Sequence, residues 1–432
     1  MKKNSYIILV LLVSLLFCGL AWSQEAESFS VNGLQVIFKP NTATDIVAAN
    51  MYFRGGATVL EPEQAGIENF ALIVAQKATK NFPKDQLNAT LEKMDTRISS
   101  STTKDYSSLN LLCVKQNFVE SWKVFTDMLL NPAFDQADVD LERQKLLTAI
   151  KQSKDNPDSY LNDLVDAGFF VNHPYAVDVN GTEQMISSFN AADLKAYLAG
   201  RMETSQMLLI VVGNTTKGEL EALVKKSFSS LQSGNFKTEI PPPVSFPESS
   251  LKIVNRDLPT NYIKGTFPVP AYGSVENYPM MVARSILADR LFEEVRTKRG
   301  LSYAPGAGMA GSFSNYGWIY VTAVDPDSTV SVMIREVERM KNEPVSEKVL
   351  KNKLNVFLTG YYLGNETNAS QAGILARLEL SGAGFKESAK ILDNLKKVTP
   401  RSIQDVCQKY MNNLQFILLG NPPTLEIKRF VL

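Results

Sequence analysis

Two widely separated stretches end alike, Leu208-Leu209-Ile210-Val211-Val212-Gly213-Asn214 and Phe416-Ile417-Leu418-Leu419-Gly420-Asn421. Each is a short apolar run closed by Gly-Asn, the pattern of a hydrophobic strand. A helix-forming segment stands just before each, at Ala191–Leu198 and Ser402–Tyr410. Upstream, the layout repeats. Strand-like segments open each half, Leu34–Phe38 with Ile46–Arg54 and Leu251–Asn255 with Tyr262–Val269. A helix follows, around Ala65–Lys80 and Tyr278–Thr297, and then a strand, Ser107–Val114 and Gly317–Val324. A repeat of this length points to duplication. Strands in blocks and helices in blocks give an α+β class: two homologous α/β sandwiches, each an antiparallel-rich sheet with helices on one face.

The boundary between the halves is written in proline. Ser229–Ser250 contains Pro241-Pro242-Pro243 and Pro247. Successive prolines lack amide donors and favour extended geometry, so the segment reads as a semi-rigid linker. The expected division is residues 24–230, a linker over 231–250, and 251–432. Ahead of it, Lys2-Lys3, the apolar run Ile7–Leu20 and Ala21-Trp22-Ser23 read as a secretory signal peptide over residues 1–23. Cys18 raises lipid attachment as an alternative, which bulky Phe17 before it disfavours. No later stretch holds about 20 unbroken apolar residues, so no transmembrane segment is expected.

Composition narrows the chemistry. The chain is 44% hydrophobic and 21% charged, enough for real cores, with 45 basic residues against 45 acidic. That balance gives no support for nucleic acid as a partner. Beyond the leader only Cys113 and Cys407 remain, so there is no disulfide framework. His173 is the one histidine in the chain. Histidine-rich zinc sites need two or three imidazoles. In Asn172-His173-Pro174-Tyr175 it reads as a loop-edge residue, with no nucleophile elbow beside it. A self-sufficient hydrolase is poorly equipped here.

Two segments carry a family resemblance. Phe53-Arg54-Gly55-Gly56-Ala57, followed by Gln64-Ala65-Gly66-Ile67-Glu68-Asn69-Phe70-Ala71-Leu72-Ile73, resembles the active-site helix entry of the insulinase-type zinc peptidases, which include pitrilysin and the mitochondrial processing peptidase. In that family the helix carries His-x-x-Glu-His, whose histidines bind zinc while the glutamate activates water. The resemblance lays the histidine positions on Asn69 and Ile73, the base on Leu72, and the third ligand, a Glu on a later helix, on Ala149. No metal site survives in that set. Read alone, Ile67, Phe70, Ala71, Val74 and Ala78 form a core-facing stripe, and the erased site is expected to be core. In the second half, Leu291-Phe292-Glu293-Glu294-Val295-Arg296-Thr297-Lys298-Arg299-Gly300-Leu301-Ser302-Tyr303 is similar to the family's C-terminal Arg…Gly-Leu-x-Tyr segment. There an Arg and a Tyr face the zinc site and contact the substrate backbone and developing oxyanion; Arg296 and Tyr303 match. Read alone, Arg296 is a solvated helix-end charge and Tyr303 a half-buried strand aromatic. Ser99, Ser100, Ser101 and Thr102 fall where the family has an edge strand that pairs with extended substrate; the plainer reading is a polar turn. His173-Pro174-Tyr175 and Gly181-Thr182 match a family loop without evident chemistry.

The resemblance spans residues 28–432 and implies half of a clamshell around a peptide chamber. It implies a non-catalytic subunit, binding no cofactor itself, paired with a catalytic subunit carrying His-x-x-Glu-His and the zinc. This chain would add Arg296, Tyr303 and chamber wall to hydrolysis of a peptide substrate. An exported, periplasmic location follows from the leader. The rival readings are a binding or scaffold protein, which needs no Arg/Tyr pair, and an independent hydrolase with an unrecognised site.

Overall fold

The computed structural model describes residues 25–422 and 425–430, so the candidate leader lies outside the described residues. Two sheets carry the fold. The first has six strands, β1 (Glu27–Val31), β2 (Leu34–Pro40), β3 (Ile46–Arg54), β4 (Arg97–Thr102), β5 (Tyr106–Val114) and β6 (Met207–Gly213), in the order β1-β2-β6-β3-β5-β4. The second has five, β7 (Ser250–Asn255), β8 (Asn261–Pro268), β9 (Gly306–Met309), β10 (Tyr316–Ala323) and β11 (Gln415–Gly420), in the order β7-β11-β8-β10-β9. Each sheet is antiparallel except for one pair, and that pair occupies the same place in both. β2 runs parallel to β6, and β7 parallel to β11. The duplicated layout read from sequence is therefore a duplicated wiring.

Each half lays its own helices on one face of its sheet. In the first, Phe70 and Phe125 from helices Ile67–Ala75 and Phe118–Leu130 pack with Val36, Phe38, Met51 and Leu209. In the second, Ile286, Met333 and Ile403 from helices Asn277–Leu291, Pro326–Asn342 and Pro400–Tyr410 pack with Ile263, Ile319 and Leu418. The opposite faces are covered by exchange. Helix Asn368–Leu380 of the second half lies across β3 and β6, setting Ala372, Leu375, Ala376 and Leu380 against Ile37, Tyr52, Leu208, Ile210 and Val212. Helix Pro157–Phe169 of the first half returns the arrangement on β8 and β11, placing Leu161, Val165 and Phe169 with Tyr316, Ile417 and Leu419. This explains why β6 is apolar without interruption: it is buried along its whole length. Each such Leu or Ile contributes about 1.5–3 kcal/mol by leaving water.

Polar contacts fix the register of the exchange. Lys264 Nζ donates to Asn162 Oδ1 at 2.7 Å, and the Tyr316 hydroxyl to Asp166 Oδ1 at 2.7 Å. On the other side Asn368 Nδ2 donates to the Ile46 carbonyl at 2.7 Å. The Pro-rich linker has no helix or strand of its own between Gln232 and Ser249 and is held by both halves. His173 Nδ1 accepts the Tyr175 amide at 3.1 Å, which leaves Nε2 to carry the proton and donate to the Pro242 carbonyl at 3.1 Å. The Ser314 hydroxyl donates to the same carbonyl at 3.0 Å. Burial lowers the His173 pKa, consistent with a neutral ring that clamps the linker. No helix among the described residues is long and apolar enough to cross a membrane.

Candidate functional site

Helix Ile67–Ala75 is shorter than the sequence pattern predicts, and both its ends are set by contacts with distant parts of the chain. Gly66 sits at φ 86°, and a Cβ there would come within 2.6 Å of the Gly181 Cα, itself in a residue with φ 87°. Two glycines thus let the helix entry touch the Gly181-Thr182 loop. Beyond Gln76 the chain turns away because Asp127 gathers it: the Thr79 hydroxyl donates to that carboxylate, as do Asn81 Nδ2 and Asn131 Nδ2, each at 2.7 Å.

The positions matched to the metal site do not all lie in the core. Leu72 is fully buried, but Asn69 and Ile73 are half-buried and Ala149 is exposed on helix Gln136–Asp155. The expectation that the erased site is core is corrected for three of the four. Asn69 and Ala149 line a hollow of about 410 Å³, together with Leu146, Ile150, Asp163 and Asp178. The short Ala149 side chain leaves that space open where a carboxylate would fill it. Zinc does not fit these residues. Leu72, Ile73 and Ala149 offer only hydrocarbon, and one amide is too weak a donor set. Among the described residues no three His, Cys, Asp or Glu side chains are grouped to hold a metal ion.

The nearby acids are otherwise engaged. Glu68, next to Asn69, is buried, accepts from the Tyr197 hydroxyl and lies 3.1 Å from Arg201 Nε. Glu142 lies 2.7 Å from Lys145 and 3.2 Å from Lys77. Asp163 and Asp178, which no local sequence signal marks, face the hollow. The surrounding protein strips water from both and raises both pKa values, and for Asp163 the neighbouring Asp178 charge adds to the effect.

Ser99, Ser100, Ser101 and Thr102 form the end of β4, an edge strand rather than a turn. They pair only with β5, in the register Ser99↔Asn110 to Thr102↔Ser107, so the outer edge of the strand has no partner strand among the described residues. Gln76 Nε2 donates to Ser100 Oγ at 2.8 Å and to the Leu72 carbonyl at 2.7 Å, fixing the helix end to this edge. Small side chains and free backbone groups suit addition of an extended peptide strand.

In the second half, helix Asn277–Leu291 runs into a π-helical turn, Phe292–Thr297. Buried Val295 anchors the turn, and Gly300, at φ 60°, reverses the chain by donating its amide to the Arg296 carbonyl at 3.0 Å. The reversal brings Tyr303 back over Arg296. The guanidinium carbon lies 4.0 Å from the centre of the Tyr303 ring and 4.8 Å from that of Phe292, and NH1 donates to the Tyr303 carbonyl at 3.1 Å. Tyr303 lies in a loop and is 77% exposed, which corrects the reading of a half-buried strand aromatic. Its hydroxyl has no partner among the described residues. Neighbouring Lys298 and Arg299 are both paired with Glu294, whose pKa they pull down to about 2; among the described residues Arg296 has no carboxylate partner. The turn therefore presents a preorganised guanidinium, most of its donors free, stacked beside a free phenol. The structure brings Arg296 and Tyr303 together; neither lines the hollow at Asn69 and Ala149.

Comparison with known proteins matches this architecture. Residues 35–183 match the family described as Insulinase (Peptidase family M16), and residues 188–357 match the Peptidase M16 inactive domain. The uncharacterized zinc protease YmxG of Bacillus subtilis is 21% identical over 399 residues, covering 90% of this chain and 97% of that protein. The crystal structure of a peptidase M16 inactive domain from Pseudomonas fluorescens superposes with a TM-score of 0.83 at 17% identity, covering 93% of this chain and 99% of that one. The periplasmic protease PqqL of Escherichia coli superposes with a TM-score of 0.74 at 16% identity, with 92% of this chain covering 48% of that one. The chain belongs to the insulinase, or M16, peptidase family.

Proposed function

We propose that this chain is a non-catalytic subunit of an exported, periplasmic metallopeptidase, built from two homologous domains over residues 24–230 and 251–432. One observation carries the reading: the metal positions hold Asn69, Leu72, Ile73 and Ala149, whereas half-buried Arg296 is stacked on exposed Tyr303, whose hydroxyl has no partner among the described residues. A partner subunit carrying His-x-x-Glu-His supplies the metal, the base and the water. The half-length match to PqqL supports pairing of two such units. This chain's residues then act on the substrate backbone. Strand β4 offers its free edge to an extended peptide. Arg296 holds the scissile carbonyl with its forked donors, and the Tyr303 hydroxyl donates to the oxyanion as the tetrahedral centre forms. The test is reconstitution with a family member that keeps the motif. The isolated chain is expected to bind no stoichiometric zinc and to cleave nothing, and the pair to cleave extended peptides. Chelator-sensitive proteolysis by the isolated chain would overturn the proposal. Normal turnover by a pair lacking both Arg296 and Tyr303 side chains would reduce the chain to a scaffold.

A further inference from the structure

A second hollow, about 550 Å³, shares no lining residue with the edge strand or the Arg–Tyr turn and lies where helix Phe118–Leu130 ends beside helix Ala191–Gly200. Leu129 and Leu198, both buried, form its floor, and Leu130, Ala199, Met202 and Leu231 its sides. Lys195, Leu198 and Ala199 stand at the spacing that puts side chains on one helix face, and Met202 follows just beyond the helix end. The rim is fixed by backbone contacts: the Lys80 amide donates to the Asn131 carbonyl at 2.8 Å and the Ala133 amide to the Ala78 carbonyl at 3.0 Å.

The lining charges are Lys80 and Lys195, with no carboxylate among the residues that form the hollow. Neither lysine has an ion-pair partner among the described residues, so both ammonium groups can meet an anion at the hollow. The one side-chain amide in the lining, Asn131, already gives its Nδ2 to Asp127. An extended peptide would leave its own amides and carbonyls unpaired against such walls, each at a desolvation cost. A ligand with no polar groups along its length and one anionic end meets no such penalty. The volume lies within the usual range of small-molecule sites, about 300–1,000 Å³.

We propose that this hollow binds a long-chain carboxylate, its alkyl tail on Leu129, Leu198 and Met202 and its head between Lys80 and Lys195. The site stands independently of the proposed role in proteolysis.

Dodecanoate binding to the purified mature chain, followed by displacement of a dansyl-labelled fatty acid, tests it, with dodecanol and acetate as probes of tail and head alone. Dodecanoate is expected to bind and acetate not. The Lys80→Glu, Lys195→Glu double variant is expected to weaken dodecanoate about tenfold or more, the scale of losing a charge-assisted hydrogen bond, while leaving dodecanol within about twofold. Ala199→Trp, which fills the hollow from an exposed position, should abolish both. Thermal melting of each variant separates loss of binding from loss of fold. Failure of dodecanoate to bind, an unchanged affinity in the double lysine variant, or normal binding in Ala199→Trp would each overturn the proposal. Equal affinity for dodecanol and dodecanoate would overturn the anionic half of it.

Discussion

Helix Ile67–Ala75 and helix Asn277–Leu291 occupy corresponding places after the second main strand of each sheet, and their fates differ. The first stops after nine residues and turns its motif positions into a buried leucine and a quiet hollow. The second runs on through a π-helical turn and ends by folding exposed Tyr303 over half-buried Arg296. Burial explains the contrast. A position packed against a sheet tolerates replacement of a polar ligand by hydrocarbon once the metal is gone, because an unpaired buried charge is costly. The stack of half-buried Arg296 on exposed Tyr303 lies outside both cores, so its geometry is not a product of core packing.

Four experiments break or sharpen that contrast. Leu72→Glu should be the most damaging, costing about 4 kcal/mol or more in denaturant unfolding at neutral pH, because the carboxylate enters the fully buried apolar core. A near-neutral effect would mean that position is not core. Next, Tyr303→Phe in the reconstituted complex should lower kcat by about 10²–10³-fold, the scale of losing one oxyanion donor, with melting temperature unchanged. Arg296→Ala should do similar harm, partly in KM, and Arg296→Lys should rescue poorly because an ammonium lacks the planar fork. Ala149→Glu, in the same erased set as Leu72, should shift stability by no more than about 0.5 kcal/mol, since its side chain would extend into open space. A loss as large as that of Leu72→Glu would show the hollow closed in solution. Smallest is Asp163→Asn. The Asp163 pKa is raised in the fold, so its charged form is disfavoured there and stability falls as pH rises through the folded pKa. Removing the charge should therefore stabilise by a few tenths of a kcal/mol at pH 7, discounted for solvent exposure. The gain should vanish below the ordinary carboxylate range, where both states are protonated, and thermal melts at the two pH values check the sign.

Much of this was legible in sequence. Strand positions follow from apolar runs and alternation, and β3, expected at Ile46–Arg54, is found there. The Arg296 to Tyr303 segment is compact enough that a local motif fixes its geometry. Three things were not legible. The end of helix Ile67–Ala75 is set by Asp127, far along the chain, and helical periodicity cannot see it. The exposure of Ala149 depends on what does not pack against its helix, which apolar spacing does not report. The crossing of helices Pro157–Phe169 and Asn368–Leu380 is also invisible, because an amphipathic stripe states that a face is buried and not against which sheet. Asp163 and Asp178 escaped for the same reason: they meet only through the fold.

The helix exchange has a consequence for biosynthesis. During synthesis the first sheet can form once β6 has emerged, but its second face, with Ile37, Tyr52, Leu208, Ile210 and Val212, waits for the helix ending at Leu380. Until then an apolar surface of a nearly complete half stands open to water and to other nascent chains, the condition that makes slow, non-local folding prone to aggregation. The halves are thus topologically obligate companions: truncation after the linker should yield a sticky fragment, and the open face must be kept from other chains, by chaperones or by delayed folding, until the last third has arrived.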